Sequence, residues 1–386
     1  MALHAALPWG LYVHIPFCPY KCDYCDFVAV GAGPRVARWH APYLAAVLAE
    51  GEYWAGLLQP EPPVSAFYGG GTPTMLPPED LGGLHRALAA RFRLPAGAEA
   101  SVECNPGTVD RDGLRTLRAA GLNRLSIGLQ AAQDRLLAAL GRGHTFAAFL
   151  DAFGAARDAG FENVSVDLMY GLPGQTRADF EESLLRVLEL RPEHVSAYSL
   201  QIEAGTPFHL RDRRGELPLP EEGAVAEQFD TARRLCAQAG LEHYEISNFA
   251  APGRRCAHNL LYWDNADYLG LGIGAHSHWR LQRWANTARL AVYRDGIAAS
   301  TGTWVAQREP ADPARERSEG AFLGLRLLQG IDLAAYAARH GQTLEQAFPG
   351  VAARLVARGL CTCADGRLRL RPEAVAVGNL AFAAFV

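Results

Sequence analysis

The chain has 386 residues, 49% of them apolar and 20% charged, with a formal net charge of −4. That length suits two or three domains, and the charge balance leaves no basic footprint for nucleic acid. No apolar run approaches the ~20 residues of a membrane-spanning helix, and the start "MALHAALPWG" lacks the regions of a secretory leader. A reducing, cytoplasmic setting is expected, in which eight cysteines are not a disulfide framework. Peripheral membrane contact and the oligomeric state stay open.

The first predicted strand is "LYVHIP" (11–16), and a cysteine-rich loop, "FCPYKCDYCDF", follows at once. Further strands are predicted at 65–69, 100–105, 124–130, 164–170 and 194–201. Ala-, Leu- and Arg-rich helices separate them, for example at 78–92, 111–121 and 177–190. This alternation predicts a parallel sheet with helices outside. Six units are too few for a closed eight-fold barrel, so the expected fold is α/β, a partial (β/α)6 barrel.

Strands covered on both faces usually read as continuous apolar runs, whereas several of these alternate. Tyr12 and His14 oppose Leu11, Val13 and Ile15, while Glu103 and Asn105 oppose Val102 and Cys104. Ser126 and Gln130 oppose Leu125, Ile127 and Leu129, and Asp167 opposes Val166 and Leu168. If the apolar sets face the helices, the polar sets converge inside the barrel. Unpartnered carboxylates are costly there. Either a polar ligand lies among Glu103, Gln130 and Asp167, or Arg124 and Arg142 neutralise the acids internally.

After residue 303 the pattern turns helical, with a short hairpin about Asp365–Gly366 and a last helix. Residues 304–386 therefore read as a small helical, winged-helix-like domain, behind the proline-containing stretch "REPADPARER". Residues 1–303 form the barrel unit.

Cys18, Cys22 and Cys25 sit at spacings of four and three. A closed zinc site wants four protein ligands, and this loop is one short. A redox pair accounts for "CDYC" but leaves Cys18 unexplained. Three buried structural cysteines are a third reading. An iron–sulfur cubane is the fourth: three thiolates hold three corners and leave one iron open.

With "FYGGGTPT", "ECNPGT", "NRLSIGLQ", "DLMYGLPGQT", "YEISNFA" and "HNLLYW", the cysteine loop resembles the radical S-adenosylmethionine proteins of the coproporphyrinogen oxidase branch. The resemblance runs from about residue 11 to residue 300 and is looser beyond. It implies a partial six-unit barrel with a 4Fe–4S cluster on Cys18, Cys22 and Cys25. The open iron would chelate S-adenosylmethionine, and an electron from the cluster would break its carbon–sulfur bond to give a 5′-deoxyadenosyl radical. Tyr12, Tyr24, Gly70, Gly71, Thr72, Glu103, Gln130, Arg142 and Asp167 match the branch's S-adenosylmethionine contacts. Gln201 and His276 match weaker positions, which leaves one or two bound molecules open.

Two functions of that branch compete. One is the oxygen-independent coproporphyrinogen III oxidase, a radical enzyme that decarboxylates propionates. The other is a haem chaperone, which carries haem as cargo to haem-dependent acceptor proteins. The oxidase has a further cysteine where this chain has Phe27, and a longer segment before its first strand. "HNLLYW" (258–263) matches the chaperone group, which makes 241–300 a haem- or porphyrin-associated segment. His258 would then be an iron ligand, with Tyr262 and Trp263 as flat faces for the macrocycle. On spacing alone, a capped turn with buried aromatics accounts for the same residues. The expectation is the chaperone, with the acceptor protein and the cleavage of S-adenosylmethionine undecided.

Overall fold

The computed structural model describes residues 8–31 and 33–386. Residues 1–7, which carry the leader reading, lie outside the described residues. Strand β1 (Gly10–Ile15) lies inside a twelve-stranded sheet. The cysteine loop follows it and contains two short paired strands, β2 (Phe17–Cys18) and β3 (Val30–Gly31). Five more strands run parallel to β1: β4 (Ser65–Gly70), β5 (Glu99–Cys104), β6 (Arg124–Gln130), β7 (Val164–Tyr170) and β8 (His194–Ser199). They stand in sequence order across the sheet, β1-β4-β5-β6-β7-β8, as the six predicted units require.

Local chemistry sets the helices between them. Asp110 caps the helix Arg111–Ala120 by accepting the Gly113 N–H at 2.8 Å, and Gly121 ends it in a left-handed conformation. Thr176 and Asp179 form a capping box for the helix Arg177–Glu189. Under these helices lie Leu11, Val13, Ile15, Val102, Leu125, Ile127, Val166 and Leu168, buried in one apolar cluster. Each such side chain contributes about 1.5–3 kcal/mol by leaving water. The opposite strand faces carry the polar residues and look into the barrel.

The sheet extends beyond the six units at both edges. Beside β8 stand the antiparallel strands β10 (Asn248–Ala250) and β9 (Glu242–Glu245). Beside β1 stands β11 (Tyr268–Leu271), which is parallel to it. Antiparallel strands β12 (His276–Trp279), β13 (Gln282–Asn286) and β14 (Val305–Glu309) then continue outward. The chain therefore leaves the sheet after Glu309, six residues beyond the expected end of the barrel unit at 303. "REPADPARER" is no free linker: it holds the end of β14 and the start of the helix Pro313–Gly324, which Asp312 caps.

Beyond lie the helices Leu333–His340, Leu344–Ala347 and Val351–Ala357 and a three-stranded sheet. Its strands are β15 (Ile331–Asp332), β16 (Cys361–Ala364) and β17 (Arg367–Leu370), in the order β15-β17-β16. The hairpin turn is Asp365–Gly366, both with positive φ, 52° and 72°. Glu316 joins this unit to the barrel, 3.2 Å from His278 Nε2 and 2.6 Å from Arg339 Nη2. Among the described residues no helix is long and apolar enough to cross a membrane.

Candidate functional site

The C-terminal ends of the parallel strands open into a cavity of about 430 Å³. Cys18, Cys22 and Cys25 line it together with Tyr24, Gly70, Gly71, Thr72, Glu103, Gln130, Arg142 and Asp167. All three thiols are free. The loop that carries them is fixed from outside: the Asp23 N–H donates to the Leu140 carbonyl at 3.1 Å, and the Asp23 carbonyl accepts the Phe208 N–H at 3.0 Å. Burial pushes the Cys18 thiol up and the Cys25 thiol up to about 11. Thiolates there call for a compensating cation, which a metal cluster supplies. Among the described residues no three His, Cys, Asp or Glu side chains converge on one ion position.

The glycine segment is stitched onto the start of this loop. The Gly71 N–H donates to the Ile15 carbonyl at 2.8 Å, and the Thr72 N–H to the Phe17 carbonyl at 2.8 Å. Gly70 has φ 103°, and a side chain there would meet the His14 ring at 2.2 Å. At Gly71 the obstacle is backbone: a Cβ would stand 2.7 Å from the Ile15 carbonyl oxygen. Glycine is what lets the two segments lie this close.

The opposite wall carries the buried carboxylates. Glu103 accepts the Gly70 N–H at 3.0 Å, and burial followed by repulsion from Asp167 raises it to about 7. Asp167 accepts the Ser126 hydroxyl at 3.0 and 3.2 Å and the Ser165 hydroxyl at 3.4 Å, and burial raises it too. The charge of Arg124 draws both downward, yet both stay raised. Internal neutralisation is thus incomplete, and the wall is left suited to a cationic ligand. Arg142 is no solvated helix-end residue. Its guanidinium donates to Asn105 Oδ1 at 2.7 Å and the Gly128 carbonyl at 2.5 Å, and lies 3.6 Å from Cys22 Sγ. A register shift between Gly128 and Gln130, with φ 75° at Gln130, marks a bulge that turns Gln130 into the cavity.

Four expected site residues lie elsewhere. Tyr12 is set back in the barrel, its hydroxyl 3.0 Å from His14 Nδ1 and its ring stacked on Phe67. His258 is 1% exposed and both its nitrogens are engaged, Nδ1 with Ser65 Oγ at 2.9 Å and Nε2 with the Tyr262 hydroxyl at 3.0 Å. Ser65 begins β4, and Gly10, whose Cβ would strike the His258 ring at 2.8 Å, begins β1. The helix Ala257–Trp263 therefore plugs the barrel mouth opposite the cysteines. Its start is held by Glu99, which accepts the N–H groups of Ala257 at 2.9 Å and His258 at 3.1 Å.

As an iron ligand, His258 would have to give up one of its two side-chain hydrogen bonds. Tyr262 is spent on His258, and Trp263 lies under the Arg326 guanidinium at 4.3 Å. Burial also pushes the neighbouring Cys256 thiol up to about 12. Of the weaker candidates, Gln201 lines the cavity, whereas His276 is exposed on β12 and lines a separate groove. Asn105 and Ser126 also line the cavity, although they are not among the matched cofactor contacts. Period-two alternation, which sets both on the polar strand faces, is the signal that finds them.

A partial barrel with a cysteine triplet directly after its first strand is the architecture of radical S-adenosylmethionine proteins. The radical SAM superfamily model matches residues 12–187, and the HemN C-terminal domain model matches residues 312–377. The heme chaperone HemW of Bacillus subtilis is 36% identical over 379 residues, covering 97% of this chain and 98% of that protein. HemW of Escherichia coli is 38% identical over 271 residues, 70% of each chain. The solved structure of coproporphyrinogen III oxidase (HemN) from Escherichia coli superimposes with a TM-score of 0.85 at 24% identity, covering 100% of this chain and 91% of that one. This chain belongs to the HemW family of the radical SAM superfamily.

Proposed function

We propose that this protein is a haem chaperone that binds a 4Fe–4S cluster and S-adenosylmethionine and passes haem to acceptor proteins. The observation that carries the cofactor part is the shared cavity, in which three free thiols face Gly70, Gly71, Glu103, Gln130, Arg142 and Asp167. Cys18, Cys22 and Cys25 would hold the cluster, and Glu103 and Asp167 would receive the cationic groups of S-adenosylmethionine. Arg142, fixed by Asn105 and Gly128, would face its carboxylate. When bound, the cluster supplies one-electron reduction of the sulfonium. The plugged far mouth leaves the cysteine end as the open entrance to the barrel.

The chaperone part rests on the relatives named HemW and on Phe27. Phe27 lines the cavity and is 63% exposed, so it offers an apolar surface where the oxidase has a cysteine. The test is a haem titration of the reconstituted protein, run beside an anaerobic assay of coproporphyrinogen III decarboxylation. Stoichiometric haem binding, transfer to an apo-haemoprotein and no turnover are expected. Rapid multiple-turnover decarboxylation would overturn the proposal in favour of the oxidase.

A further inference from the structure

Hydrogen-bond donors face all three cysteine sulfurs. The Thr72 hydroxyl is 3.5 Å from Cys18 Sγ, Arg142 Nη1 is 3.6 Å from Cys22 Sγ, and the Phe27 backbone N–H faces Cys25. Two of these donors meet at one side chain outside the set of matched cofactor contacts. Arg142 Nη2 donates to Asn105 Oδ1 at 2.7 Å, and Asn105 Nδ2 donates to Thr72 Oγ1 at 2.7 Å.

The direction of this chain follows from donor chemistry. A guanidinium only donates, so the amide oxygen of Asn105 must face Arg142 and its NH₂ must face Thr72. Thr72 Oγ1 then accepts from Asn105, and its own proton is left for Cys18. Thr72 is 1% exposed, so bulk water offers little competition for that proton.

We propose that Asn105 is a positioning residue that aims the Thr72 and Arg142 donors at the sulfurs and so sets the reduction potential of the cluster. The proposal rests on the reading of Cys18, Cys22 and Cys25 as cluster ligands. Its physical basis is that donors to a thiolate stabilise the added negative charge of the reduced state and raise the potential. A side chain that accepts where Asn105 donates reverses the relay: the Thr72 proton turns away from Cys18.

The experiment is redox titration of the reconstituted cluster, followed by electron paramagnetic resonance, with iron and sulfide counted per chain. Asn105→Ala should shift the midpoint to more negative potential and alter the spectrum of the reduced cluster at full iron content. Asn105→Asp should shift it further in the same direction. Thr72→Val should lower the potential while Thr72→Ser retains it, and this pair decides the matter if the Asn105 variants load poorly. Unchanged midpoints in Asn105→Ala and Thr72→Val with full clusters overturn the proposal. A wild-type chain that takes up no cluster overturns instead the ligand reading beneath it.

Discussion

Glu99 and His258 are joined across 159 positions of sequence: the carboxylate at the start of β5 accepts the His258 backbone N–H at 3.1 Å. Together with the Ala257 N–H at 2.9 Å, this bond fixes the plug helix on the floor of the barrel. The HNLLYW segment is thereby anchored to the barrel strand β5.

His258→Ala is expected to leave the absorption spectrum of the haem complex unchanged. It removes a buried ring with two side-chain hydrogen bonds and should cost about 2–4 kcal/mol of stability. Urea denaturation and haem titration of the same preparation check both halves. A displaced Soret band at unchanged stability would return His258 to the role of iron ligand.

Glu103→Gln should weaken S-adenosylmethionine about 10- to 100-fold, from the loss of a charge-assisted contact of about 1.5–3 kcal/mol. Because Glu103 is raised to about 7, a cationic ligand must draw off its proton. Wild-type affinity should therefore rise with pH through about 7, with proton release visible by calorimetry in two buffers. Equal affinity for both proteins at pH 8 would remove Glu103 from the site.

Glu50 offers a pH test of the scaffold. It is fully buried, accepting the Tyr293 hydroxyl at 2.6 Å, Asn286 Nδ2 at 2.7 Å, the Gly272 N–H at 2.8 Å and Trp54 Nε1 at 3.2 Å. Burial still raises it to about 7 from 4.5. The folded chain thus holds a proton that the unfolded chain releases earlier. The stability this proton contributes is complete below about 4.5 and is lost as pH rises through about 7. Buried histidines such as His85 and His243, both lowered to about 4, act in the opposite sense. They are common to wild type and Glu50→Gln and cancel in the difference. Glu50→Gln should gain stability relative to wild type between pH 5 and pH 7.5, and a flat difference in urea titrations would refute this.

Two glycine substitutions separate crowding from mere mobility. Gly70→Ala forces a Cβ into the His14 ring at φ 103° and should abolish cluster loading. Gly83→Ala, within the helix Pro78–Phe92, meets nothing within 4 Å and should stabilise by about 0.5–1 kcal/mol. Iron content and thermal unfolding of the two variants provide the check.

The six-unit barrel was legible because its strands are long and carry clear period-two patterns, as in Ser126, Gln130 and Asp167. The edge strands were not, because β9 to β13 have only three to five residues each. Most cavity residues could be read from motif and alternation together. Position in a motif could not tell that His258 faces inward, because that depends on Ser65 and Glu99, far away in sequence. Asn105 was visible only as one more polar residue at the end of β5; its link to Thr72 and Arg142 needs three strands and a loop in place.

β1 has β4 on one side and β11 on the other. During synthesis, its second edge stays bare until Leu271 has emerged, 256 residues after Ile15. At about 5–20 residues per second, that interval is on the order of tens of seconds. The strand that leads into Cys18, Cys22 and Cys25 is thus the last of the six parallel strands to gain its second neighbour, after β8 has met β10.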